Sequence, residues 1–230
     1  TALLLFSRSS EEESLSKNFL SNGSAAKNKA LTKKIIERSI LLAKNSGLPF
    51  FVWDEKLQRG DSFGERLANG ISSVFQKGFE KIIVIGNDCL TLHSVHIHQA
   101  AGALQSNEYV LAPTKKGGTY LIGLTQKSFN KESFTTIRWQ SSFANNDLEK
   151  LFSNSVFHLP VKDDVNNFND LREQVSHLLK ADALRMYVES IIASLKKYFP
   201  VFANRNFCVI LRFLFGLKAP PATLLLPYLV

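Results

Sequence analysis

Two short stretches carry side chains suited to phosphate chemistry. In KIIVIGNDCLTL (81–92) an apolar run stops at Gly86 and is followed by Asn87 and Asp88. If the run is a strand, Asp88 stands just beyond its carboxyl end, where open α/β sheets bind ligands. A carboxylate there can hold Mg2+ or Mn2+, and the ion can bridge a diphosphate. The same oxygens can instead cap a helix starting near Thr91. In GDSFGERL (60–67), Gly60 and Gly64 permit a close approach and Asp61 or Ser62 can cap a helix whose first turns carry Glu65 and Arg66. The Arg66 guanidinium can grip a phosphate as a fork, or serve only as a structural salt bridge to acidic neighbours such as Asp88. Trp139 can stack on a base or a sugar, or simply close its loop over the sheet. His93, His96 and His98 form a weaker cluster, since only Asp88 lies at a matching spacing and a solvated first turn explains them better. Cys89 beside a carboxylate is disfavoured as a thiolate and reads as a small buried hydrophobe.

These groups need a frame, and the hydrophobic pattern supplies one. Ala2 to Phe6, Phe50 to Trp53, Ile82 to Ile85, Tyr109 to Ala112 and Tyr120 to Leu124 are short apolar runs that predict buried strands, with a last one near Val156 to Leu159. Between them, Leu31, Ile35, Ile36 and Ile40 recur at helical spacing, as do Phe63, Leu67, Ile71, Val74 and Phe75, and Ile97, Ala100, Ala101 and Leu104. A shorter helix is expected through Leu148 to Phe152. Alternating strands and helices predict βαβ units and a mostly parallel sheet covered on both faces, with a ligand crevice at the carboxyl ends of its strands. Asn167 or Asn169 can cap one long helix running from Leu171 through Leu178 and Leu179 to Leu195, ended by Pro200.

The 230 residues suit one domain over 1–199 with an apolar extension at 200–230. The extension interleaves Arg205, Arg212 and Lys218 with Phe207, Phe213 and Phe215, a pattern for a peripheral membrane contact or for packing that includes a homodimer. The 28 basic against 20 acidic side chains give +8, which favours an anionic partner. Cys89 and Cys208 lie in no metal or CxxC spacing, so a reducing cytoplasm is expected rather than a disulfide-held secreted fold. TALLLFSR lacks the pattern of a signal peptide, and no uncharged run is long enough to span a bilayer.

From Leu57 to Leu171 the chain resembles the domain of unknown function 2064, or selenodomain-associated transferase, family of the glycosyltransferase A superfamily. Four landmarks carry the resemblance in order: QRGDSFGERL (58–67), VIGNDCLTL (84–92), APTKKGGTYLIGL (112–124) and LPVKDDVNNFNDL (159–171), with Trp139 in the expected gap. The resemblance implies a Rossmann-like, three-layer nucleotide-diphospho-sugar transferase fold. It places Asp88 near nucleotide phosphates and their divalent ion, Mg2+ or Mn2+, and Asp164 on the first aspartate of a D-x-D pair. Gly117 and Gly118 match paired glycines where a ligand approaches the backbone.

Departures from the family pattern are as informative. Lys116 stands where the glycine motif has an aspartate, and Asn166 replaces the second aspartate of the pair, weakening any bound ion. The cationic phosphate-gripping loop after the first strand is replaced by SSEEESLSKNFL, leaving Ser7 and Arg8 as phosphate contacts. If that segment folds over the crevice, Glu11, Glu12 and Glu13 face the phosphates; two unit charges about 4 Å apart interact by about 4 kcal/mol at an effective dielectric near 20. Otherwise the glutamates are a solvated loop.

Two functions are therefore expected to compete. One is a metal-dependent nucleotidyl- or glycosyl-transferase acting on a nucleotide or sugar nucleotide, with no nucleic acid partner. In it, Asp88 and Arg66 are the catalytic pair, Asp88 and Asp164 the metal ligands, and Ser7, Arg8, Gly60, Lys116, Gly117, Gly118 and Trp139 the ligand contacts. The other is a diverged, non-catalytic member of the same fold that binds or assembles.

Overall fold

The computed structural model describes residues 1–20, 25–152 and 155–198, with side chains as far as Ser194. The 200–230 extension, and with it the expected dimer or membrane contact, lies outside the described residues. In chain order the elements are β1 (Ala2–Phe6), α1 (Ser10–Ser16), α2 (Ala25–Asn45), β2 (Phe50–Trp53), α3 (Phe63–Phe75), β3 (Lys81–Ile85) and α4 (Ser94–Ala103). They continue as β4 (Tyr109–Pro113), β5 (Thr119–Thr125), α5 (Lys131–Thr135), α6 (Ala144–Phe152), β6 (Val156–His158), α7 (Phe168–Ser176) and α8 (Ala183–Tyr198).

The six strands form one sheet in the order β2-β1-β3-β5-β4-β6, parallel except for β5, which runs antiparallel to both neighbours. β1 and β3 are buried on both faces, and this is why they are unbroken apolar runs rather than alternating ones. Successive residues serve opposite layers. Leu4, Phe6, Ile82 and Val84 pack with Leu67, Ile71 and Val74 of α3 and with Leu148 and Phe152 of α6. Leu3, Leu5, Ile83 and Ile85 pack with Ala43 of α2 and Ile97 and Ala100 of α4. The expected α/β sandwich, with a mostly parallel sheet between two helical layers, is therefore present.

A third cluster joins Phe19 and Leu20 to Leu31 and Ile35 of α2, Phe168, Leu171 and Val175 of α7, and Leu184 and Val188 of α8. It fixes the chain immediately after α1 and so decides where α1 lies. The long C-terminal helix expected from Leu171 to Leu195 is two helices. Leu178 and Leu179 preserve helical spacing across the break, but Asp182 starts a new helix. Its carboxylate accepts the N–H groups of Leu184 at 2.9 Å and Arg185 at 3.4 Å. The Arg185 guanidinium in turn satisfies the carbonyls of Ser176 and Leu178 at 3.0 and 2.7 Å, which the end of α7 leaves without helical partners. Of the two asparagines expected to cap α7, Asn167 does so, accepting from the N–H groups of Asn169 and Asp170 at 2.9 and 3.1 Å. Among the described residues, no helix is long and apolar enough to cross a membrane.

Candidate functional site

A cleft of about 840 Å3 opens at the carboxyl ends of β1 and β3. Because β5 is antiparallel, its first residues, Thr119 to Ile122, form the adjoining wall. Phe6, Phe63, Leu121 and Ile122 make an apolar floor, and Ser7, Arg8, Arg66, Asn87 and Asp88 come from the segments that leave the strands or enter α3. Four of the sequence-predicted residues thus meet in one place: Ser7, Arg8, Arg66 and Asp88.

The acidic segment folds over this cleft. α1 is capped by Ser9, whose hydroxyl accepts the Glu12 N–H, and Glu12 and Glu13 line the cleft, while Glu11 points away to an exposed pair with Lys29 at 2.9 Å. Lys17, four residues beyond Glu13 and just past the helix, turns back into the cleft. Its ammonium donates to Asp88 Oδ1, lies 3.3 Å from Glu13 Oε1 and donates to the Val165 carbonyl at 3.3 Å. Burial on its own would lower the Lys17 pKa, but Asp88 and Glu13 more than offset it and hold the ammonium above the ordinary lysine value.

The position of Lys17 is set by Asn28, a buried side chain of α2. Its amide donates to the Ser14 and Lys17 carbonyls at 2.9 and 3.0 Å and its oxygen accepts the Phe19 N–H at 3.0 Å. Val165 is tied to the same point, since its N–H donates to the Asp88 carbonyl at 2.8 Å. Nearby, the Glu55 carboxylate accepts the Ser9 N–H at 2.6 Å. Although burial pushes the other way, that bond holds Glu55 below the usual carboxylate range.

The remaining expected residues have other partners. Asp88 does not cap a helix: α4 starts later, at Ser94, and the Asp88 side chain is bonded to Lys17. Arg66 lines the cleft, yet its Nη1 donates to the Gly60 and Asp61 carbonyls at 3.3 and 3.1 Å, so it braces the loop that Ser62 and Glu65 close as a capping box. Gly60 itself, at φ +128°, is packed on Glu65 and does not line the cleft. Trp139 closes its loop rather than facing the cleft: Nε1 donates to the Phe134 carbonyl at 2.7 Å, and its ring leaves no room for a Cβ on Gly64.

Lys116 pairs with Asp170 at 2.6 Å, and Gly117 and Gly118 form the turn between β4 and β5, none of the three on the cleft. Asp164 accepts from the Asn166 amide at 3.0 Å through one oxygen. Its other oxygen is buried without a hydrogen-bond partner among the described residues. The three histidines do not share one point: the His93 and His96 rings stack at 5.9 Å, with His96 Nδ1 accepting the His93 N–H, whereas His98 Nε2 contacts the Ser46 carbonyl.

The donors around Asp88 do not fit the divalent ion that the fold implies. Among the described residues no three acidic, histidine or cysteine side chains converge on a common point, and one Asp88 oxygen, Oδ1, is taken by the Lys17 ammonium. Sequence reasoning missed Lys17 as a site residue. The available signal was its i,i+4 spacing from Glu13, in a segment with no helix predicted from the sequence.

Comparison with known proteins agrees with this architecture. A family model described as "Uncharacterized protein conserved in bacteria (DUF2064)" matches residues 50–141, a stretch that holds β2, α3, β3 with Asp88, and the β4–β5 hairpin. Over that stretch the chain is similar to the DUF2064 family. The fold of this chain is that of a crystal structure from Desulfovibrio desulfuricans G20, described as a "putative nucleotide-diphospho-sugar transferase". The two superpose with a TM-score of 0.75 over 86% of this chain and 97% of that one, at 19% identity. Rv0371c from Mycobacterium tuberculosis H37Rv is more distant, with a TM-score of 0.44 at 12% identity over 75% of this chain and 96% of that one. A cytidylyltransferase from Leptospira borgpetersenii serovar Hardjo-bovis gives 0.41 at 11% identity over 89% and 97%. No curated protein matches the chain.

Proposed function

We propose that the cleft binds a nucleotide or sugar nucleotide and that the chain is a nucleotidyl- or glycosyl-transferase. The observation that carries this reading is the cleft itself. Its volume of about 840 Å3 lies in the size class of small-molecule sites, and it opens at the carboxyl ends of parallel strands in a nucleotide-diphospho-sugar transferase-like fold. The apolar floor of Phe6, Phe63, Leu121 and Ile122 suits a base or the face of a sugar. Arg8 supplies the phosphate contact: it lines the cleft, and its guanidinium has no ion pair or side-chain hydrogen bond among the described residues. Tyr120 contributes shape rather than proton transfer, since burial raises its pKa and its hydroxyl donates to the Pro160 carbonyl at 2.8 Å.

Electrostatics favours the non-catalytic reading as the second one. The lining carries Arg8, Lys17 and Arg66 against Glu12, Glu13, Glu55 and Asp88, a net −1 in a chain of +8. A diphosphate entering a cleft of that sign is held by Arg8 against a general repulsion, so binding is modest and specificity rests on the base and sugar.

A thermal-shift panel of nucleoside diphosphates and sugar nucleotides tests the reading. A ligand at one hundred times its Kd contributes about 2.7 kcal/mol, or roughly 5–10 °C for a chain of this size. Arg8→Ala is expected to weaken the binding about tenfold, the loss of one charge-assisted contact. No shift with any member of the panel would sink the proposal. Release of nucleoside diphosphate from a sugar nucleotide, or of diphosphate from a nucleoside triphosphate given a sugar phosphate, separates the transferase from the binding module.

A further inference from the structure

We infer that Lys17 is the resident cation of the cleft: its ammonium fills a cage of three oxygens where the fold would place a divalent ion, so that the chain takes its ligand without metal. The three N–H donors of an ammonium meet three acceptors here, Asp88 Oδ1, Glu13 Oε1 and the Val165 carbonyl. Two carboxylates and a carbonyl are the hard oxygens that Mg2+ or Mn2+ would otherwise attract. A divalent ion can enter only by expelling a charge that remains tethered beside it.

The cage is assembled from three separate segments, the end of α1, the residue after Asn87 and the approach to α7, so its geometry is a product of the fold and not of one flexible loop. Two of its members are sheltered, Glu13 at 8% and Val165 at 1% exposed, and Asn28 clamps the backbone on either side of Lys17. A second observation points the same way. Asn87 is 6% exposed and lines the same cleft, and its amide Nδ2 has no hydrogen-bond partner among the described residues. A buried donor beside the cage suits a hydroxyl- or phosphate-bearing ligand and offers nothing to a metal ion. The inference deepens the reading of the preceding section by assigning the cation of that site.

Mn2+ alone is the probe, followed by the electron paramagnetic resonance signal of the free ion during titration. The wild-type chain is expected to take up no Mn2+ at millimolar concentration. Lys17→Met is expected to bind at least tenfold tighter than wild type, and the Lys17→Met, Asp88→Asn double variant to lose that binding. Wild-type uptake abolished by Asp88→Asn overturns the inference, as does Lys17→Met binding no tighter than wild type. Should Lys17→Met fail to fold, Lys17→Gln replaces it, and the wild-type and Asp88→Asn titrations decide by themselves. Because no nucleotide is present, the result stands apart from the success or failure of the nucleotide panel.

Discussion

Gly117→Ala is expected to lower the melting temperature by roughly 6–20 °C. Gly117 sits at φ +85°, and a Cβ built on it would lie 2.0 Å from the Ser142 carbonyl oxygen and 2.7 Å from its carbon. Those are backbone atoms, which cannot rotate aside as a side chain would. The turn has no slack either: the Thr114 N–H donates to the Gly118 carbonyl, the Gly117 N–H to the Thr114 carbonyl, and the Asn145 N–H to the Gly117 carbonyl at 2.9 Å. The left-handed backbone costs about 1–3 kcal/mol for a residue with a Cβ, and forcing apart packed segments adds about 1–3 kcal/mol. About 3–5 kcal/mol in a chain of this length gives the stated shift. Gly118→Ala is the control. Its φ is not left-handed and its Cβ would meet only the Thr114 hydroxyl at 3.2 Å, so a loss of about 1 kcal/mol or less is expected. Thermal melts of the two variants check the pair, and a Gly117→Ala protein as stable as wild type would contradict the packing described.

Lys17→Met is expected to cost about 2 kcal/mol, a fall of roughly 4–8 °C, without any change in core packing. Removing the ammonium leaves the buried Glu13 carboxylate facing Asp88 with no counter-charge, and breaking a buried pair costs about 3–5 kcal/mol. The lower figure applies because the Asp88 side chain is 43% exposed and water screens part of the loss. Neutralising Glu13 as well relieves the repulsion, so the Glu13→Gln, Lys17→Met double variant is expected to melt above Lys17→Met alone; additive losses would show that the two do not interact.

The pH dependence follows from the direction of the Lys17 shift. Its folded pKa is raised above 10.5, so its contribution is complete below 10.5 and fades only as pH climbs through the higher folded value. Between pH 6 and 9 the gap between wild type and Lys17→Met is therefore constant as far as this group is concerned.

Much of the frame was legible because burial writes itself into local pattern. β1 at every position and β3 from Ile82 onward are apolar since both faces are covered, and α3 shows its buried side in Leu67, Ile71, Val74 and Phe75. Asp88 and Arg66 could be placed for the same reason, each lying within two residues of Gly86 or Gly64 at the end of a readable element. What could not be read is which charge meets which. Lys17 reaches across 71 residues to Asp88 and Lys116 across 54 to Asp170. Nothing in the spacing of either lysine records these distant partners. The role of Gly117 likewise depends on Ser142, a residue in a loop with no periodicity of its own. The break between α7 and α8 was hidden because Leu178 and Leu179 keep the helical spacing, although Asp182, a capping residue type, stood in plain view.

The proposed function requires the cleft to accept an anionic nucleotide ligand with Lys17, not a metal ion, as its cation. The most direct measurement is a calorimetric titration of the wild-type chain with the sugar nucleotide that gives the largest thermal shift, once in EDTA and once in millimolar Mn2+. Affinities within about threefold of each other are predicted; binding seen only when Mn2+ is present would contradict it.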